Sequence, residues 1–195
     1  DIKAKYHKRT FHFKFPSGTS RGVLTEKYAW FIEVWHESDP LIIGIGECSI
    51  IPGLSPDFID FKQYESKVAS VCENLTQDLT DWPSIQFGLE TALLDLKNGG
   101  QGIIFNNDFS NGTKKIPING LIWMGAANFM QEQIEEKLSL GFTTLKMKIG
   151  AIDFDNEIVI LQSVRNKYSS NEITLRVDAN GAFSKEEALA KLNQL

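Results

Sequence analysis

From Ile116 onward the chain repeats one pattern about every 30 residues: a short apolar run, then a stretch with helical spacing. "IPINGLIW" is followed by 126–140, where Met130, Ile134 and Leu138 share a face and Gly141 closes the stretch. "TTLKMKIG" is followed by "DFDNEIVILQSVRNKY", with Phe154, Ile158, Leu161 and Val164 expected inward. "ITLRVDANG" is followed by "SKEEALAKL", which opens on a capping box of Ser184 and Glu187. A β-α-β-α-β-α order at this period predicts a parallel sheet, because parallel strands need a long crossover and not a tight turn.

The first half reads differently. Residues 3–15 alternate around Phe11, Phe13 and Phe15, 27–37 are rich in aromatic and β-branched residues, and 41–50 form a third extended run. The turn "ESDP" joins the second and third, so an antiparallel three-stranded sheet is expected. "LSPDF" predicts a helix start with Ser55 as N-cap and Pro56 at the first helical position. Its apolar stripe would run through Phe58, Phe61, Val68, Val71, Cys72 and Leu75. A second helix is expected over about 83–97, ending at "NGG". The loop-rich "QGIIFNNDFSNGTKK" then links two domains, 1–112 and 113–195. At 42% hydrophobic and 23% charged residues the chain has the composition of an ordinary globular protein. Its net charge of -5 disfavours nucleic acid as a partner, and it holds no apolar run long enough to span a bilayer. Cys48 and Cys72 suggest neither a disulfide framework nor a zinc site, so a reducing cytoplasm is the expected location.

The second strand of the repeat is unusual. Leu145, Met147 and Ile149 make an apolar face, and Lys146 and Lys148 fall on the other. In the third strand Leu175, Val177 and Ala179 alternate with Arg176, Asp178 and Asn180. Parallel strands covered by helices are apolar on both faces unless one face lines a site. Burying this much charge is unfavourable unless the groups pair or bind something. The lysines are therefore expected to point into a site at the strand ends; an internal salt-bridge network that only fills a barrel is the alternative.

"LKMKIG" followed by "LRVDANGAF" resembles the enolase superfamily, and within it the muconate-lactonizing-enzyme-like subgroup, with K-x-K on one barrel strand and D-x-N on the next. "PSGTSRGVLTEK", "GIGECSIIPGLSPD" and "PINGLIWMG" look most like the o-succinylbenzoate synthases. The resemblance implies an α+β capping domain followed by the first part of a TIM-type (β/α) barrel. It implies proton abstraction next to the carboxylate of a small-molecule substrate, with Mg²⁺ or Mn²⁺ as cofactor, in a menaquinone-pathway dehydration. Lys148 matches the acid/base lysine, Lys146 its supporting lysine and Asp178 the first metal carboxylate. Arg176 and Asn180 would shape the site. The loop Pro16–Gly22, with Ser20 and Arg21 toward substrate and glycines at 18 and 22 as hinges, matches the mobile loop that covers it. A dipeptide epimerase or N-acylamino acid racemase uses the same lysines and stays an alternative. A receiver-like module with Asp178 as phosphoacceptor explains neither K-x-K nor the antiparallel half.

A complete barrel of this type takes roughly 200 residues or more. Residues 116–195 hold about three of its units, so the expectation is a truncated barrel, inactive by itself. By the same resemblance, the other metal ligands and an opposite-face lysine are expected on later strands that residues 116–195 do not include. A homo-oligomer is compatible with the sequence. His7, His12 and His36 read as sheet residues, and Trp123 as either core or pocket wall.

Overall fold

A computed structural model describes residues 1–19 and 22–195, which divide into two compact units. One comprises 1–14 and 25–115; the other comprises 15–24 and 116–195. The boundary at Lys115 lies three residues beyond the one drawn from the sequence, and the segment 15–24 groups with the second unit.

The first unit is built on β1 (Ile2–Thr19) up to residue 14, β2 (Gly22–His36) from residue 25, and β3 (Asp39–Ile50), in that order, with β2 and β3 antiparallel; the ends of β1 and β2 within 15–24 group with the second unit. Alternation sends Trp30, Ile32 and Val34 of β2 and Cys48 and Ile50 of β3 to one face, where all are buried. That face is covered by α1 (Phe61–Glu73) and α2 (Pro83–Lys97), which contribute Tyr64, Val68 and Val71, and Ile85, Leu89 and Ala92. Glycines set the closeness of α2. A Cβ on Gly46 would lie 1.7 Å from the Gly88 carbonyl oxygen, and one on Gly44 2.1 Å from that of Ala92.

One expectation fails in this unit. The helix expected from Ser55 begins at Phe61, capped by Asp60, whose side chain accepts the Gln63 N–H at 2.8 Å. The Ser55 hydroxyl instead accepts the Ile51 N–H at 2.9 Å and closes a turn. A short polar side chain serves a turn as readily as a helix end, so the motif alone does not choose. Within the expected loop Pro16–Gly22, residues 16–19 continue β1 and Gly22 opens β2. The Phe11–Phe13–Phe15 alternation extends further than the glycines suggested. Ser20 and Arg21 themselves lie outside the described residues. The second helix agrees with expectation: α2 ends at Lys97, with Gly99 and Gly100 at φ 92° and 67°.

The second unit holds β4 (Gly120–Ile122), α3 (Ala127–Ser139), β5 (Thr144–Lys148), α4 (Phe154–Lys167), β6 (Thr174–Asp178) and α5 (Lys185–Leu192). The strands form a parallel sheet ordered β4-β5-β6. Ile122, Leu145, Met147 and Ile149 pack with Met130, Ile134, Ile160 and Val164 of the helices. Ser184 caps α5 as expected: its Oγ accepts the Glu187 N–H and donates to the Glu187 carboxylate. One register differs. The fully buried stripe of α4 is Glu157, Ile160 and Val164, while Ile158 and Leu161 are half-buried. An acid occupies a core position that apolar periodicity assigns to its neighbour. Among the described residues no helix is long and apolar enough to cross a membrane.

Candidate active site

The parallel register of β5 and β6 places Lys146 opposite Arg176 and Lys148 opposite Asp178. With Leu145 and Met147 buried in the helix-facing core, both lysines take the other face. Both ammonium groups reach one atom: Lys146 Nζ lies 2.7 Å and Lys148 Nζ 2.8 Å from Asp178 Oδ2. Lys148 also donates to Asn180 Oδ1 at 3.1 Å. The other carboxylate oxygen, Asp178 Oδ1, accepts the Asn180 N–H at 3.0 Å, and Asn180 sits at φ 48° to make that turn. A left-handed asparagine is tolerated because its short polar side chain bonds locally. Hydrogen bonds from Lys146, then Lys148, then the Asn180 backbone hold the Asp178 carboxyl well below the usual carboxylate range. The result is a fixed anion between two cations at the end of a parallel sheet, where βα folds place their chemistry.

The structure thus brings together Lys146, Lys148, Asp178 and Asn180. Arg176 lies on the same strand face but donates to Asn119 Oδ1 at 3.3 Å, a partner the sequence reading did not single out. Gln133 and Glu157 were missed as well. Gln133 pairs with both backbone groups of Trp123, accepting its N–H at 2.9 Å and donating to its carbonyl at 3.0 Å. Half-buried Trp123, one residue past β4, is thereby fixed beside the strand end. Burial pushes the Glu157 carboxyl up, against hydrogen bonds from the 150–152 backbone that pull it down. The only hint of either residue was a polar side chain in a helix that follows a strand.

Magnesium takes hard oxygen ligands and is held by one or two carboxylates together with water and substrate oxygens. Asp178 fits one such position, being ionised, oriented and at the strand end. Among the described residues no three His, Cys, Asp or Glu side chains cluster to complete a metal site. The other candidates are structural. His7 and His12 pair with Glu33 and Glu26 on the first unit's sheet. Burial pushes the Cys48 thiol up to about 12 and that of Cys72 up to about 11, so neither is a ready thiolate near neutral pH.

Residues 129–195 match the family described as enolase C-terminal domain-like. The individual relatives narrow the comparison. The o-succinylbenzoate synthase of Desulfotalea psychrophila is 40% identical over 231 residues, an alignment that takes in all of this chain and 62% of that protein. The crystal structure of MenC from the same organism superposes with a TM-score of 0.73 at 36% identity, over 99% of this chain and 61% of that one. The o-succinylbenzoate synthase of Thermosynechococcus elongatus, solved with magnesium in its active site, gives 0.71 at 22% identity over 99% and 57%, a likeness of fold. The chain therefore spans about three-fifths of the length of these relatives.

Proposed function

We propose that this chain supplies the lysine side of the active site of an o-succinylbenzoate synthase. That enzyme is a hydro-lyase converting 2-succinyl-6-hydroxy-2,4-cyclohexadiene-1-carboxylate to o-succinylbenzoate. The observation that carries the reading is the convergence of Lys146 and Lys148 on Asp178 at a parallel strand end, in a chain 40% identical to such a synthase.

In this reading Lys148 in its neutral form takes the proton α to the substrate carboxylate. The C–H bond breaks, an N–H bond forms on Nζ, and the electron pair stays with the substrate. The β C–O bond then breaks with that pair. Lys148, on the same side as the departing hydroxyl, returns its proton, so that water leaves. Lys146 supports the charge beside it, and Asn180 orients Lys148 through the 3.1 Å bond. Asp178 would be one ligand of a divalent cation, and the cation supplies charge stabilisation for the substrate carboxylate when bound. Arg176 lies at the edge of this surface. The segment Pro16–Gly22, with Ser20 and Arg21, would cover the substrate; support for this is that 15–24 groups with the unit that carries the lysines.

The test is turnover by a protein that contains this chain together with the remaining barrel strands. Lys148→Ala should abolish dehydration and leave divalent-ion affinity largely unchanged, since it removes a proton acceptor and no ligand. Asp178→Asn should weaken metal binding. Near-normal rates in Lys148→Ala would sink the assignment. Racemisation of dipeptides or N-acylamino acids, with no dehydration, would replace it by the epimerase or racemase reading.

A further inference from the structure

The turn that follows β5 is held from two sides. Ile149 donates its N–H to the Asp178 carbonyl at 3.0 Å, which ties the residue after Lys148 to the end of β6. From the other side, Gly150 donates its N–H to Glu157 Oε1 at 2.7 Å. The N–H groups of Ala151 and Ile152 lie close enough to favour the same carboxylate's charge. Successive backbone N–H groups aimed at one anion form a nest, and here the anion is the protein's own.

Glu157 is 1% exposed, on the first turn of α4. Its second oxygen, Oε2, finds no hydrogen-bond partner among the described residues. A carboxylate in that setting is unfavourable, and an apolar side chain of similar volume would fill the space at less expense. What an apolar group cannot do is accept the N–H groups of the turn two residues beyond Lys148. The turn is shaped for this. Gly150 sits at φ 92°, and a Cβ there would lie 2.4 Å from Ala182 Cβ. Only glycine combines that backbone with that contact. The preceding βα unit repeats the device, since Gln133 of α3 grips the backbone of Trp123 just past β4.

We propose that Glu157 is a positioning residue which, through the turn at Gly150, fixes the backbone of Lys148 and so holds its ammonium group on Asp178 and Asn180. The importance of this for chemistry rests on the reading of Lys148 as the proton acceptor. The geometry does not, and it is tested without turnover.

The experiment compares the 195-residue chain with Glu157→Gln and Glu157→Leu by NMR. Gln keeps the shape and one acceptor oxygen; Leu keeps approximate volume and no acceptor. Amide exchange at Gly150 should accelerate at least about tenfold in Gln and further in Leu, while Leu145 and Met147 stay protected. The Lys148 Nζ resonance should move toward that of a solvated lysine in Leu and part of the way in Gln. A graded shift with an intact core is not the behaviour of a side chain that only fills space. If both variants keep the wild-type Lys148 resonance, the proposal is overturned. It is equally overturned if both lose the Leu145 and Met147 protection together with the Lys148 signal, because Glu157 is then a general core residue. Should Leu alone fail to fold, Gln decides. A Lys148→Ala enzyme that still turns over would end the synthase reading and leave this result standing.

Discussion

Removing the charge of Asp178 should set its two lysines against each other. Both ammonium nitrogens touch Oδ2, at 2.7 and 2.8 Å, so they are at most about 5.5 Å apart, the two distances end to end. At an effective dielectric near 20, two unit charges at that separation repel by about 3 kcal/mol. Side-chain exposures of 27% for Lys146, 17% for Lys148 and 27% for Asp178 place the cluster between surface and core. Exposed pairs are worth up to about 1 kcal/mol, and breaking a buried one costs about 3–5 kcal/mol. Lysine side chains also swing apart when released. Asp178→Asn should therefore destabilise the second unit by about 2 kcal/mol at pH 7, a fall of about 1 M in the urea midpoint. Part of the loss should return in 1 M salt, where the screening length is about 3 Å. Adding Lys146→Met to Asp178→Asn should recover at least half of it, because one of the two repelling charges is gone. The assay is urea unfolding followed by circular dichroism, with the single and double variants completing a cycle. An unfolding free energy for Asp178→Asn within about 0.3 kcal/mol of wild type, or no recovery in the double variant, would refute the convergence on one oxygen.

Gly46→Ala should lower stability by about 3 kcal/mol, because its Cβ would meet backbone atoms of α2 at 1.7 to 2.8 Å and the helix must shift. Calorimetry should show a melting temperature for the first unit lower by about 12 °C or more, and a fall under about 4 °C would mean α2 does not lie this close. Acid should weaken the second unit through Asp178, whose folded carboxyl titrates below its unfolded value. That contribution is complete above the unfolded value near 3.9 and disappears as pH falls through the folded one. A Lys146→Met, Lys148→Met double variant should show a flatter acid limb in urea midpoints measured from pH 5 to 2, and an identical slope would count against the ion cluster.

The parallel half of this protein was legible because its physics is local. A period of two in "TLKMK" and "TLRVD" settles which side chains share a face, and helical crossovers require parallel pairing. Lys146, Lys148, Asp178 and Asn180 on one side follow from that alone. So does the cap formed by Ser184 with Glu187, an interaction spanning three residues. The resemblance to the enolase superfamily gave those residues roles that periodicity does not contain. Other features depended on partners distant in sequence. Asp60 and not Ser55 caps α1, because the Ser55 hydroxyl had a competing use at Ile51. Arg176 finds Asn119, 57 residues away. The buried stripe of α4 rotates onto Glu157 because the N–H groups of the turn after β5 need an acceptor there. Hydrophobic pattern ranks that position as surface. Only the folded chain shows that this helix position faces the backbone N–H of Gly150, which a carboxylate can accept and an apolar side chain cannot.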